Sequence, residues 1–433
     1  MRFVGTRRSV SSVARKALVI LLAALLTAVP CAAGSLDYSI VWNRSLVSGK
    51  FQLPQALIRA SDGSYALAGY GLVELVPGSV GALIGFWTER LDRDGKPMWQ
   101  RGFAAEPPKR REEAHTLIET RDGGFLVVGA TESDSLAGRP VGQTNDPRSS
   151  PQSSAGFAIK YGGDGLLLWK KAIAGPAEKP SDSFYATAAV DAGYVLSGKT
   201  AIRSKGKSPT WALRVVKLNE AGDVIWDRTI LDGEFSIRAD SMSRKVVPAS
   251  DGGFVVATAP ADGGWPDFGQ MDIVSDDGKV MGKQRSQRAV LLKIDAEGRV
   301  VKRVEVPGAT EHLALGANAN GYIVSGYFKL LWYAFFDTDL NLKWKKSVTP
   351  ATKINAFYPA PDGGFYGVGA TSQLAIAHIS PSGELRQETV RGVPDDTEGR
   401  DIAAGDRPDE FVILWSRVPQ TRAGLMKVRV PVH

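Results

Sequence analysis

Apolar residues recur along this chain in short runs, with turn residues between them. The runs FLVVGA at 125–130, WALRVVKL at 211–218 and YIVSGYF at 322–328 are rich in β-branched and aromatic residues. That composition suits a pleated, half-buried strand. No helical periodicity of any length appears. Two turn signatures punctuate the runs. In the first, a turn is followed by an aromatic residue that opens an apolar strand: SDGSY to Tyr65, RDGGF to Phe125, VDAGY to Tyr194, SDGGF to Phe254, NANGY to Tyr322, PDGGF to Phe365 and RPDEF to Phe411. The mean spacing of these aromatics is about 58 residues, a period that marks a repeat architecture. The second signature is an apolar strand, a D/N-x-x-G turn and a tryptophan four residues after the glycine. Gly95 leads to Trp99, Gly165 to Trp169 and Gly222 to Trp226. Leu340 holds the glycine position before Trp344, while Gly298 leads to Lys302 and Gly383 to Gln387.

Each unit therefore holds two hairpins, whose turns need the positive φ that Gly, Asn and Asp tolerate. Four strands per unit and seven units predict an all-β chain, a seven-bladed β-propeller of four-stranded blades. The seventh unit has strands near 401–404, 411–415 and 425–430 and then stops one strand short. The segment SIVWNRSL at 39–46 resembles the outer strands PMWQRGF, LLLWKKAI and VIWDRTI, but no unit precedes it. The N-terminal strand is thus expected to complete the last blade, closing the ring and removing two sheet ends. Arg44, Arg101, Lys171, Arg228 and Lys346 stand two residues after the outer-strand tryptophans. They read as edge-strand protection, or as an anionic-surface belt.

These units resemble those of secreted bacterial β-propellers built from DGG-aromatic and D-x-x-G-x-x-x-W repeats. Their G-x-x-x-W spacing is also similar to the tryptophan-docking blades of quinoprotein-type and outer-membrane assembly propellers. The resemblance covers nearly all of the chain after residue 33. It implies a fold, because propellers host many activities. No unit meets the fuller quinoprotein repeat Ala-x-Asp-x-x-Thr-Gly, and there is no adjacent cysteine pair. Quinone binding is therefore not implied. No cofactor is predicted, although calcium and quinone are not excluded.

Composition changes this picture at the N-terminus. The 433 residues carry 53 Lys+Arg and 46 Asp+Glu, a formal charge of +7. Arg2, Arg7, Arg8, Arg15 and Lys16 precede an apolar run, ALVILLAALLTAV at 17–29, and then PCAAG at 30–34. Residues 1–33 read as an export signal, with a periplasmic or extracellular destination. The run falls short of the ~20 residues a membrane span needs. An uncleaved anchor, a lipoprotein at Cys31 (after Pro30) and twin-arginine export at Arg7-Arg8 are the alternatives. Residues 34–433 form the propeller domain and are nearly neutral, so the charge gives no argument for nucleic acid. One cysteine excludes a disulfide scaffold, a thiolate zinc cluster and a CxxC site. Four histidines leave little for a multi-histidine metal centre, and no metal is predicted.

Candidate chemistry gathers on one face. The second-to-third-strand connections of units one to four are extended, near 72–83, 131–155, 201–210 and 260–287. Long loops on one face of a rigid scaffold are where binding tends to be placed. The fourth holds Trp265 and Phe268 among Asp267, Asp272, Asp276 and Asp277, an aromatic-plus-acid loop for a sugar or cation. Its other reading is a small extra hairpin turning at Asp-Asp-Gly, and its acids do not follow calcium-loop spacing. Counting ten residues back from each strand-opening aromatic gives Gln55, His115, Phe184, Arg244, His312, Asn355 and Asp401. All but Phe184 are polar, and the position belongs at the mouth of the central channel. They form a ring for a polar or anionic ligand, unless strand starts at a wet channel are simply polar. GYVLSGKT at 193–200 fits a phosphate loop, but its middle is a strand with no helix after it, so nucleotide binding is rejected. No G-x-S-x-G elbow or H-E-x-x-H helix is present.

The expectation is an exported, monomeric, non-catalytic binding or scaffold propeller. Its insertion-bearing face would take a protein, a glycan or a small polar ligand. The alternative is a periplasmic lyase or hydrolase of a saccharide or polar metabolite, using His115, His312, Arg244 and Asp401 with histidine as acid or base. The sequence leaves open whether the chain is an enzyme.

Overall fold

The protein is described here by a computed structural model. It describes residues 35–46, 52–73, 83–103, 112–132, 154–175, 182–202, 210–230, 236–261, 271–274, 280–284, 289–306, 312–328, 330–348, 353–370, 372–417 and 422–431. The segment 1–33 lies outside these residues, as does most of each insertion. Among the described residues none is helical, and no helix is long and apolar enough to cross a membrane.

The strands pair into seven four-stranded antiparallel sheets and one two-stranded hairpin. Blades 1 to 6 take four strands each in chain order, and blade 4 carries the extra hairpin, Met271–Val274 with Val280–Gln284. The first strands of neighbouring blades contact one another all the way round, from Gln52–Arg59 of blade 1 to Thr397–Ala404 of blade 7 and back. They therefore line the axis. Blade 7 is finished by the N-terminal strand Ser39–Leu46, which pairs with Ala423–Arg429, Trp42 opposite Lys427 and Ser45 opposite Gly424. The ring closes as the sequence predicts.

The core is divided among the seven junctions. Apolar side chains from the faces of two adjacent blades make each cluster: Leu57, Tyr65 and Leu67 of blade 1 pack on Val412, Leu414 and Leu425 of blade 7. Tyr366, Val368 and Ile376 of blade 6 pack on Phe411, Ile413 and Met426. The repeat's aromatics are all buried in these layers. The turn before them needs its second glycine for space. A Cβ on Gly124 would lie 2.4 Å from the Tyr161 carbonyl oxygen.

The tryptophans explain the second signature. Each outer-strand indole reaches the third-to-fourth-strand turn of the following blade. Trp99 Nε1 donates to Gly163 O at 2.9 Å, Trp169 to Glu220 O at 3.2 Å, Trp226 to Ala296 O at 3.0 Å and Trp344 to Pro381 O at 2.9 Å. The turn glycine sits under the ring. Gly165, at φ +80, would place a Cβ 2.8 Å from Trp99. The basic residues beyond the tryptophans bind the same turns. Arg101 Nε donates to Gly165 O at 2.8 Å, and Lys171 Nζ meets Asp223 at 3.1 Å. These two tie blade to blade, a role beyond guarding an edge.

The exceptions fall into two groups. Blade 4 has Lys302 in place of tryptophan, and the turn it faces in blade 5 has Leu340 in place of glycine. Leu340 takes φ 57 and is buried, occupying space that no indole claims. Lys302 Nζ donates to Asp339 O and to Asn341 Oδ1 at 2.9 Å. Blade 6 lacks tryptophan and faces blade 7, whose third and fourth strands come from opposite ends of the chain and share no turn.

Candidate functional site

The first strand of five blades carries a β-bulge at one equivalent place. The register slips between Pro54 and Ala56, Ala114 and Thr116, Phe184 and Ala186, Ile354 and Ala356, and Gly399 and Asp401. The extra residues are Gln55, His115, Tyr185, Asn355 and Arg400. A bulge re-aims a side chain out of the pleat. Four of these five, with Lys245 and Asp401, line one small cavity at the channel mouth.

The structure thus brings Gln55, His115, Asn355 and Asp401 to one mouth. Arg244 and His312 lie on described strands, but their side chains fall outside the described residues, as do Trp265 and Phe268 altogether. The sequence count slips in three blades. In blade 3 the turn is one residue shorter than in blade 1, so Tyr185 takes the bulge in place of buried Phe184. In blade 7 it is one longer, so Arg400 takes it and Asp401 follows. Blade 5 has the shorter turn and no bulge, and His312 pairs with Tyr327, beyond the equivalent position. Lys245, beside Arg244, was missed because blade 4 has an irregular register from Met242 to Val246.

The polar groups at the mouth hold blades together. Asp401 accepts from Leu57 N of blade 1 and from its own neighbour Ile402 N, both at 2.9 Å. Lys245 of blade 4 reaches across the channel to Asp401 at 3.3 Å. Asn355 Nδ2 donates to Glu398 Oε1 at 2.6 Å and Gly399 O at 2.7 Å. Glu398 also meets Lys353 at 2.5 Å and Arg400 at 3.4 Å. Burial pushes the Glu398 carboxyl up, but the Arg400 and Lys353 charges and the hydrogen bonds from Lys353 and Asn355 overcome it and hold it at about 2. To one side, the His115 ring lies tilted against Tyr185, centroids 4.6 Å apart, and edge-on to Tyr70 at 5.8 Å, with Glu113 3.6 Å from its Nε2.

The cavity between these groups is about 10 Å³, room for about one water. A ligand of any size would rest on the mouth. Asp401 is committed to two backbone amides and a lysine. Among the described residues no three His, Cys, Asp or Glu side chains gather as a metal site.

No protein-family model matches the chain, and no curated protein matches it in sequence. Solved structures match in fold. A catalytically inactive virginiamycin B lyase from Staphylococcus aureus, with quinupristin, gives a TM-score of 0.49 at 9% identity, covering 91% of this chain and 100% of that one. The Dos1 propeller gives 0.49 at 10% identity, over 90% and 94%. A mitotic checkpoint complex chain gives 0.50 at 12% identity, over 100% and 99%. The seven four-stranded blades themselves set the class, the β-propeller. At such identities the likeness speaks for the fold alone.

Proposed function

We propose that the protein is an exported, non-catalytic binding propeller that presents its insertion-bearing face, floored by the channel mouth, to a glycan or protein. The observation that carries this is the bulge repeated on five inner strands, which brings Gln55, His115, Asn355 and Arg400 to one mouth. Tyr185 and Tyr70, half-buried beside them against His115, add aromatic surface to the mouth, a setting suited to amphipathic ligands. The commitment of Asp401 and Lys245 to each other supports a binding floor over a reactive centre. Export rests on the sequence of residues 1–33.

The test is a thermal-shift screen against neutral and acidic oligosaccharides, with the sugars analysed afterwards by mass spectrometry. A saturable shift with one sugar, lost in Gln55→Ala and with the sugar unchanged, is the expected result. Wild-type cleavage or elimination that His115→Ala abolishes would overturn the non-catalytic reading in favour of a lyase or hydrolase. Silence across the panel would remove the glycan and leave a protein partner.

A further inference from the structure

On the opposite, tight-turn face a cavity lies at the seam between blades 6 and 7. It measures about 200 Å³ and is lined by Asp362, Tyr366, His378, Glu384 and Arg386 of blade 6 and, from the blade 7 side, by Leu36, Val430 and Pro431. Its origin is a break in the repeat. In other blades the outer strand carries a bulge that sets a tryptophan opposite the penultimate residue of the third strand: Trp99 opposite Arg90, Trp169 opposite Lys160 and Trp344 opposite Phe335. Blade 6 has no such bulge, and Arg386, not Gln387, stands opposite His378. Blade 7 supplies no turn for an indole to rest on. At the neighbouring junction, where Trp344 is present, the corresponding cavity is about 40 Å³.

The seam therefore keeps open the space that an indole fills elsewhere. In size the cavity exceeds the roughly 150 Å³ that suffices for a benzene ring, and its lining mixes polar and apolar groups. The walls are suited to a ring: the His378 and Tyr366 rings lie 5.5 Å apart, and Leu36, Val430 and Pro431 face them. His378 is fixed by Asp362 at 3.0 Å, and Tyr366 by its hydroxyl donating to Val430 O at 3.4 Å. Glu384, just before the outer strand, and Arg386, within it, flank buried Leu385; both are exposed and line the cleft. One is an anion and the other a cation, two residues apart at the rim.

We propose that this seam cleft is a binding site for a zwitterionic aromatic amino acid, its ring in the place of the missing indole, its carboxylate on Arg386 and its ammonium on Glu384. The site is independent of the channel mouth and of any ligand there. The probe is L-tryptophan, titrated calorimetrically, with indole-3-acetate and tryptamine as ligands carrying one charge each. Saturable binding of tryptophan is expected, weakened about tenfold or more when either charge is removed from the ligand, as loss of one charged hydrogen bond requires. Arg386→Gln should weaken indole-3-acetate and leave tryptamine unchanged. Glu384→Gln should do the reverse. Arg386→Trp restores the repeat's own indole and should abolish binding while the melting temperature holds or rises. Failure of tryptophan to bind, or undiminished binding by both Arg386→Trp and Arg386→Gln, would overturn the proposal.

Discussion

Gly165 and Gly123 stand in the same blade with nearly the same backbone, φ +80 and +75, yet their surroundings differ. A Cβ at 123 would meet nothing within 4 Å, while one at 165 would meet Trp99 at 2.8 Å. Gly123→Ala should cost about 1–2 kcal/mol, the left-handed penalty alone. Gly165→Ala should cost about 1–3 kcal/mol more, because the indole must shift or the turn must open. Urea denaturation of both variants measures the difference, and equal costs would mean that the indole does not bear on the turn. This pairing was half legible in the sequence. Glycine and tryptophan announce themselves by spacing, but the glycine's partner is the tryptophan of the previous blade, and only the folded ring brings the two together. Leu340 shows the rule from the other side: no indole arrives from Lys302, and a buried leucine is tolerated at φ 57.

At the scale of a strand, the inner strands of blades 6 and 7 are held side by side by Glu398. Lys353 and Asn355 come from one strand, and Glu398 and Arg400 from the other. Because the folded Glu398 carboxyl is held at about 2, below its ordinary 4.5, it contributes stability that is present above about pH 4.5 and lost as pH falls toward 2. Wild-type unfolding free energy should therefore fall more steeply between pH 5 and 3 than that of Glu398→Gln, by a few kcal/mol over the full window. Parallel pH profiles for the two proteins would show that the ion cluster does not carry this dependence. The same strands show why the candidate ring was only partly readable. A bulge adds one residue, and a hairpin turn that is longer or shorter moves the count by one. Where both match blade 1, in blades 2 and 6, the count lands on His115 and Asn355. Where a turn changes length, it lands beside the bulge, on Phe184 for Tyr185 and on Asp401 for Arg400. Hydrophobic alternation sets which face is buried, but it does not record such single-residue slips.

For the whole molecule, closing the ring with strands from both ends joins all seven blades but leaves one junction without its turn. Val430, Pro431 and Leu36 line the same cleft, so the chain meets itself at the seam within reach of a short linker. A circular permutant of residues 36–431 that joins Pro431 to Leu36 through an Asp-x-x-Gly turn, with new ends between blades 4 and 5, should keep every strand pairing, because blade order around the ring is unchanged. It would also supply the platform on which the other indoles rest. Arg386→Trp should then stabilise the permutant by about 1–3 kcal/mol, the range for burying a large apolar side chain. In the original chain the same substitution finds no turn carbonyl and no glycine beneath it, and should stabilise less. The comparison is a double-mutant cycle between a side chain and a turn, read from the urea midpoints of four proteins. A coupling of zero would mean that the seam differs from the other junctions only by its missing tryptophan. A positive coupling would mean that indole and turn are one unit, and that the open cleft follows from closing a propeller with both ends of the chain.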